Sequence, residues 1–407
     1  MDPVVVTGIG TVGSFGVGAE SLAVALRTGV PSVSGVDTSG GFHLEGGARV
    51  AALVGKVDLS AWVTTATARR MCGPSKLAVA AARMAVRATG IEAAEEGWEA
   101  TAVVMSTAFG PTDYTERLFR AISVDGPETA SPFLFTESVA NAPAAQIAID
   151  CRARGPNVTV TQREAGALIA VWRATAYVAR AQGRVGRALA GSVEEITPLL
   201  HALLDRFGAL ARATPDLPEA ARPFDRRRNG LLAGEGATVL VLERERSVVA
   251  RGGHVLARVL GGASAFDPTA SRVGWGRGAT GLVAALRRML VRVGLEPRDI
   301  DTVVSGASGS RAGDRLEAQV LRQVFAGRAL PPVLAPKSVT GEYGGGLLAA
   351  AVLATQGGDF APTAGFSEAD PELEVSPHSG GRLAGGRVLA SSLAAGGAAA
   401  WLVLEGP

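Results

Sequence analysis

Few residues of this chain are thiols or imidazoles, the side chains best suited to act as nucleophile or general base near neutral pH. They are two cysteines, Cys72 and Cys151, and four histidines, His43, His201, His254 and His378. One stretch has the shape of a reactive turn: Gly155 to Val171, GPNVTVTQREAGALIAV. Gly155-Pro156 is turn chemistry. Val158, Thr159, Val160 and Thr161 are β-branched and suit a buried strand. From Ala165 onward Ala, Leu, Ile and Val recur at helical spacing, and the segment runs to a Gly stop at Gly183. A strand that turns sharply into a helix sets one residue at the positive end of the helix dipole, where many enzymes hold a nucleophile. Here the turn carries Gln162, Arg163 and Glu164, with neither Cys nor Ser. A carboxylate so placed is expected to accept backbone N–H groups, for ~0.3–1 kcal/mol, or to pair with Arg163. Cys72 precedes a helix and Cys151 precedes the Gly155 turn, so both read as core residues. His378 lies in a polar, Gly-rich loop and reads as solvated.

The elements around this turn read as alternating strands and helices. Residues 3–16, PVVVTGIGTVGSFG, are expected to be a buried strand and a glycine-rich turn. The spacing of Gly8, Gly10 and Gly13 matches a dinucleotide fingerprint, which alone is weak. No strand ending in an acid follows about 20 residues on, so nucleotide binding is not expected. Helices are expected over 19–29, 76–89 and 279–293, and buried strands over 101–106, 187–193, 254–261 and 300–305. After the strand TAVVMS, FGPTDYTERLFRAI is a helix with Thr112, Thr115 and Phe119 at i, i+3 and i+7, on one face. Its plain reading is a helix that packs on the core through Leu118 and Phe119.

GATVLVLE ends at Glu243 and GAAAWLVLE at Glu405, each preceded by a short strand, ALAGS in one case and VLASS in the other. A repeat on this scale indicates two similar α/β halves, with strands and helices alternating as in a parallel or mixed sheet covered on both faces. The boundary is expected in a loop near 244–253, giving halves 1–248 and 249–407.

These stretches resemble the ketosynthases of the thiolase superfamily. Counted from Gly155-Pro156 and from Ala165-Gly166, the family's acylatable Cys falls on Glu164. Arg222-Pro223-Phe224-Asp225, Gly230 and Gly234-Glu235-Gly236-Ala237 match a segment that supports the fold, with Glu235 expected to satisfy backbone donors. GASGSRAGDRLE resembles HGTGT…ND…E: Asp314 and Glu317 match, but Gly306 stands for His. PKSVTGEYGGG resembles KS..GH..GA: Lys337, Ser338 and Gly341 match, but Glu342 stands for His. Ala395 takes the place of a gating Phe. The resemblance is strongest to the non-acylating subunit of type II polyketide synthases, the chain length factor, in which the Cys position typically holds Gln. It implies an α/β thiolase fold of two pseudo-symmetric halves in layered α-β-α-β-α order. It also implies a heterodimer with a ketosynthase α-subunit, an acyl carrier protein as chain donor, and no cofactor or metal. Thr112, Thr115 and Phe119 would face the growing chain.

A condensing enzyme needs a thiolate and donors for the thioester oxyanion. The resemblance puts Glu164, Gly306 and Glu342 at those positions, so the expected role is a non-catalytic partner that sets chain length. The alternatives are a stand-alone malonyl decarboxylase or acyltransferase, and a binding module for an acyl or CoA ligand.

Composition agrees with this class. The 407 residues are 47% hydrophobic and 19% charged, with a net charge of +2, which gives no case for nucleic acid. Two cysteines make no disulfide framework, as in a reducing cytoplasm. No apolar run approaches the ~20 residues of a membrane span, and the chain opens directly into the strand residues Val4-Val5-Val6 with no signal-peptide pattern.

Overall fold

The computed structural model describes residues 2–91, 98–180 and 184–407. Ten strands form the main path of an 11-stranded sheet. In chain order they are β1 (Val4–Gly13), β2 (Thr101–Ser106), β3 (Asn157–Val160), β4 (Arg187–Glu194), β5 (Gly236–Arg244), β6 (Ala257–Phe266), β7 (Thr302–Ser305), β8 (Val333–Leu334), β9 (Arg387–Leu393) and β10 (Ala398–Glu405). The order is β8-β7-β9-β10-β6-β1-β5-β4-β2-β3. From β1 outward the pairings run antiparallel, antiparallel, parallel, parallel. From β6 outward they repeat the same series. The two half-sheets meet through β1 and β6, over Val4–Val6 only. The sequence repeat is this symmetry: GATVLVLE lies in β5 and AAAWLVLE forms β10, equivalent strands of the two halves.

The helices used below are α1 (Gly73–Ala88), α2 (Thr112–Asp125), α3 (Pro132–Ser138), α4 (Ala142–Asp150), α5 (Gly166–Arg180), α6 (Pro198–Arg206), α7 (Ala279–Arg292), α8 (Arg311–Val324) and α9 (Gly344–Thr355). Strand side chains alternate between faces, and both faces are buried. Ala102 and Val104 join a central core with Leu168 and Val171 of α5 and Leu347 and Leu348 of α9. Val103 and Met105 point the other way, to α1 and α4. In the second half Leu389, Trp401 and Val403 meet α7 and α8. The layers therefore run helix, sheet, helix pair, sheet, helix, as the thiolase resemblance implies.

Two expectations are corrected and one lies beyond the described residues. Gly8 and Gly10 lie inside the ten-residue β1, not in a turn. A Cβ at either would overlap the carbonyl oxygen of Ala85 or Ala81 in α1, so these glycines let a helix lie directly on a strand and cradle no phosphate. The segment at the expected boundary contains a short helix, Glu245–Ala250, which buries Val248. Helix α5 is described to Arg180, and the Gly183 stop lies outside the described residues.

Candidate functional site

The turn between β3 and α5 forms as read. Arg163 takes the left-handed conformation, φ 45°, which is rare and costly outside glycine and accumulates at functional turns. Gly166 opens α5, and a Cβ there would sit 3.0 Å from Ser106 Cβ. That close approach is the reason for the small helix start. The Glu164 carbonyl accepts the Ser392 hydroxyl at 2.7 Å, which joins the turn to β9 of the other half.

The Glu164 side chain departs from expectation. Its Oε2 is buried and has no hydrogen-bond partner among the described residues. It forms no ion pair with Arg163, and the backbone amide that acts on its carboxyl is its own. Burial first, and then the nearby charge of Glu342, push its carboxyl up to about 7, against the pull of Lys337. Glu342 is ion-paired with Lys337, whose side chain is 0% exposed. Glu317 completes the cluster. Its Oε1 accepts Ser305 Oγ at 2.8 Å and the Gly306 amide at 3.3 Å, and burial pushes its carboxyl up to about 7. Three carboxyl groups thus share the field of one buried ammonium. Two of the three residues that the resemblance puts at the family's reactive positions, Glu164 and Glu342, belong to this cluster, and the third, Gly306, lies against it.

Gly306 is not an open slot. A Cβ there would lie 3.0 Å from Ser391 O, Ser392 Cα and Ser392 Oγ. A side chain at this position would require Ser391 or Ser392 to shift slightly. Asp314 holds the same loop through the amides of Phe224, Ser308 and Gly309 at 2.8–3.3 Å. Glu235 accepts the Val54 amide at 2.9 Å, the supporting role expected of it. Cys72 and Cys151 are buried, and burial pushes both thiols up to about 12, so neither is a thiolate at neutral pH. Glu164→Cys should therefore give no condensation when assayed with malonyl and acyl carrier substrates. Any turnover by that single variant would show that the oxyanion donors are present after all.

A pH test follows from the burial of Glu164. Its folded-state pKa lies above that of the unfolded chain, so the folded form holds its proton longer and stability falls as pH rises from about 4.5 through about 7. Glu164→Gln is expected to raise the thermal midpoint at pH 8, leave it unchanged at pH 5, and flatten the curve between. A destabilised Gln variant at pH 8 would mean that the carboxylate is satisfied.

Thr112, Thr115 and Phe119 lie together on a groove of about 520 Å³ between α2 and α6, opposite Leu199, Leu200 and Leu203. Phe119 is 63% exposed, so the plain reading of it as core is wrong. Leu118 carries the packing and Phe119 faces outward. Phe135 on the adjoining α3 is 61% exposed as well. Thr115 Oγ1 lies 2.8 Å from Pro111 O and 3.0 Å from Ser138 O, which ties α2 to α3.

Sequence reasoning missed Glu194 and Glu195, where β4 ends. Glu194 binds the Ala108 amide and the Thr107 hydroxyl. Glu195 Oε2 accepts the Asp113 amide at 3.0 Å and Thr112 Oγ1 at 3.3 Å. Burial pushes them up to about 8 and about 7. The signal was two consecutive acids closing a strand buried on both faces. Reasoning also missed the contact of His43 with His201. His254 is exposed, and His378 sits in its loop with Nε2 3.3 Å from Gly381 O.

Comparison with known proteins agrees with this architecture. Residues 1–247 match the beta-ketoacyl synthase N-terminal domain and residues 256–366 the beta-ketoacyl synthase C-terminal domain. The chain is 31% identical over 382 residues to the tetracenomycin polyketide synthase ketoacyl synthase beta subunit of Streptomyces glaucescens, covering 92% of this chain and 90% of that one. It is 30% identical over 391 residues to nodulation protein E of Rhizobium sp. strain N33, covering 92% of both. A solved structure, the ishigamide ketosynthase/chain length factor, superposes with a TM-score of 0.88 at 30% identity, over 100% of this chain and 99% of that one. With both halves of the fold, the reactive turn and these matches in agreement, the chain belongs to the beta-ketoacyl synthase family.

Proposed function

We propose that this protein is a non-condensing subunit of a type II polyketide synthase, a chain length factor. It would pair with an active ketosynthase α-subunit and form part of the tunnel that receives the growing chain, with an acyl carrier protein delivering that chain. One observation carries the reading: the three positions at which the family places its thiol and histidines hold Glu164, Gly306 and Glu342, two of them in a buried charge cluster and one overlain by Ser391 and Ser392. A ketosynthase needs an open thiolate and oxyanion donors there. The fold persists around this site, which supports selection for its surface. The groove at Thr112, Thr115 and Phe119, with Phe119 and Phe135 outside the core, is the surface we assign to chain and partner. The halves 1–248 and 249–407 act as one body in this role, in the cytoplasm where carrier-bound intermediates are made. Among the described residues no helix is long and apolar enough to cross a membrane.

The test is co-expression with a type II ketosynthase α-subunit. A stable one-to-one complex that makes polyketide, with neither subunit active alone, is expected. Full activity of the ketosynthase without this chain would overturn the proposal. A second reading, a malonyl decarboxylase, is favoured only by the buried, unpartnered Glu164 Oε2. It requires that Glu164→Ala abolish product with the complex intact, whereas the chain-length role leaves the product profile unchanged.

A further inference from the structure

The groove has a third wall that neither α2 nor α6 supplies. Phe42 lines it. This residue sits in a loop closed by a two-stranded ladder, Ser34–Gly35 against Val50–Ala51. The loop lies on α6: the Arg206 guanidinium donates to Phe42 O at 3.2 Å, and Gly47 comes so near Asp205 that a Cβ there would overlap its carboxylate. Next to Phe42, His43 Nε2 lies 3.1 Å from His201 Nδ1, with ring centroids 5.2 Å apart.

Resting on the reading that the groove receives the growing chain, we infer that Phe42 is a further determinant of chain length, seated over the groove by a histidine latch between His43 and His201. The proton arrangement of the latch is fixed by its surroundings. His201 Nε2 faces only a carbonyl, Val50 O at 3.2 Å, so Nε2 carries the proton and donates. Nδ1 of His201 is then the acceptor, and His43 Nε2–H donates to it. His43 Nδ1 is left as a bare lone pair, buried and without a partner among the described residues. Protonating His201 at Nδ1 sets N–H against N–H and removes the bond.

The groups around the latch keep both rings neutral near pH 7. Burial lowers the pKa of each, helped at His43 by Arg49. Asp205 on α6 and Asp37 on the loop oppose this, but Asp205 is engaged by Arg212 at 2.7 Å. Glu219 is occupied by the Arg49 and Val50 amides. The neutral forms are favoured in the fold, so the latch holds above the usual histidine range and is lost as pH falls through and below about 6.5.

Two measurements on the assembled complex test this. Hydrogen exchange over residues 37–47, corrected for intrinsic rates, should quicken about fivefold between pH 7.5 and 5.5, the worth of one ordinary hydrogen bond. His43→Ala should show the faster exchange at both pH values. Unchanged exchange in that variant overturns the latch. Product mass spectra of Phe42→Ala and His43→Ala should both shift to longer chains, with Phe119→Ala as the reference. A shift with Phe119→Ala but none with Phe42→Ala overturns the third wall and leaves the groove reading standing. No shift in any variant overturns both.

Discussion

Thr112→Phe and Thr115→Trp are expected to shorten the polyketide by one or more extender units with the heterodimer still assembled. Phe119→Ala is expected to lengthen it. The groove of about 520 Å³ is walled on one side by these three residues, so an added ring must displace substrate or protein. Thr112 resists displacement because its hydroxyl and the Asp113 amide are both held by Glu195. The backbone there is fixed, and the volume change falls on the groove. The exposure of Phe119 separates function from stability. A buried Phe→Ala costs ~3–5 kcal/mol, whereas a surface substitution stays within about 0.5 kcal/mol. Phe119→Ala should therefore unfold at nearly the wild-type denaturant midpoint and still change product length. Unchanged lengths across all three variants at normal assembly would remove these residues from the tunnel.

Lys337→Met is expected to be the most destabilising single change near the Glu164 turn. It takes the Lys337 ammonium from a cluster of three carboxyl groups, Glu164, Glu317 and Glu342. Removing one partner of a buried pair typically costs ~3–5 kcal/mol, a large part of the ~5–15 kcal/mol that holds a domain together. The sign with pH is fixed: the orphaned carboxyls refold with protons attached, so the loss should be greatest at pH 8 and smallest near pH 5. Glu342→Gln in the same chain should recover part of it, because one buried negative charge is gone. Urea unfolding at the two pH values measures both effects. A loss below about 1 kcal/mol at pH 8 would mean that water reaches Lys337 and that the cluster is not buried.

The repeat GATVLVLE and AAAWLVLE made the two-fold architecture legible, because equivalent strands carry equivalent burial demands. The elbow at Glu164 was legible for a local reason: turn, β-branched run and small helix start all agree. What Glu164, Gly306 and Glu342 do was not legible. Glu164 was expected at a helix terminus facing backbone donors, but its side chain turns inward to Glu342 and Lys337, which lie far along the chain in the other half. Phe119 looked like core because helical spacing fixes a face without saying which neighbour, if any, covers it. Glu195 and the His43–His201 contact escaped because each joins elements remote in sequence through side chains, and no periodicity marks such contacts.

Intact-protein mass spectrometry of the purified heterodimer, incubated with malonyl- and acyl-loaded carrier protein, tests the non-condensing role most directly. The acyl adduct should appear on the ketosynthase subunit alone and vanish when that subunit's elbow cysteine is changed to alanine. An acyl adduct on this chain, at any residue, would contradict that role.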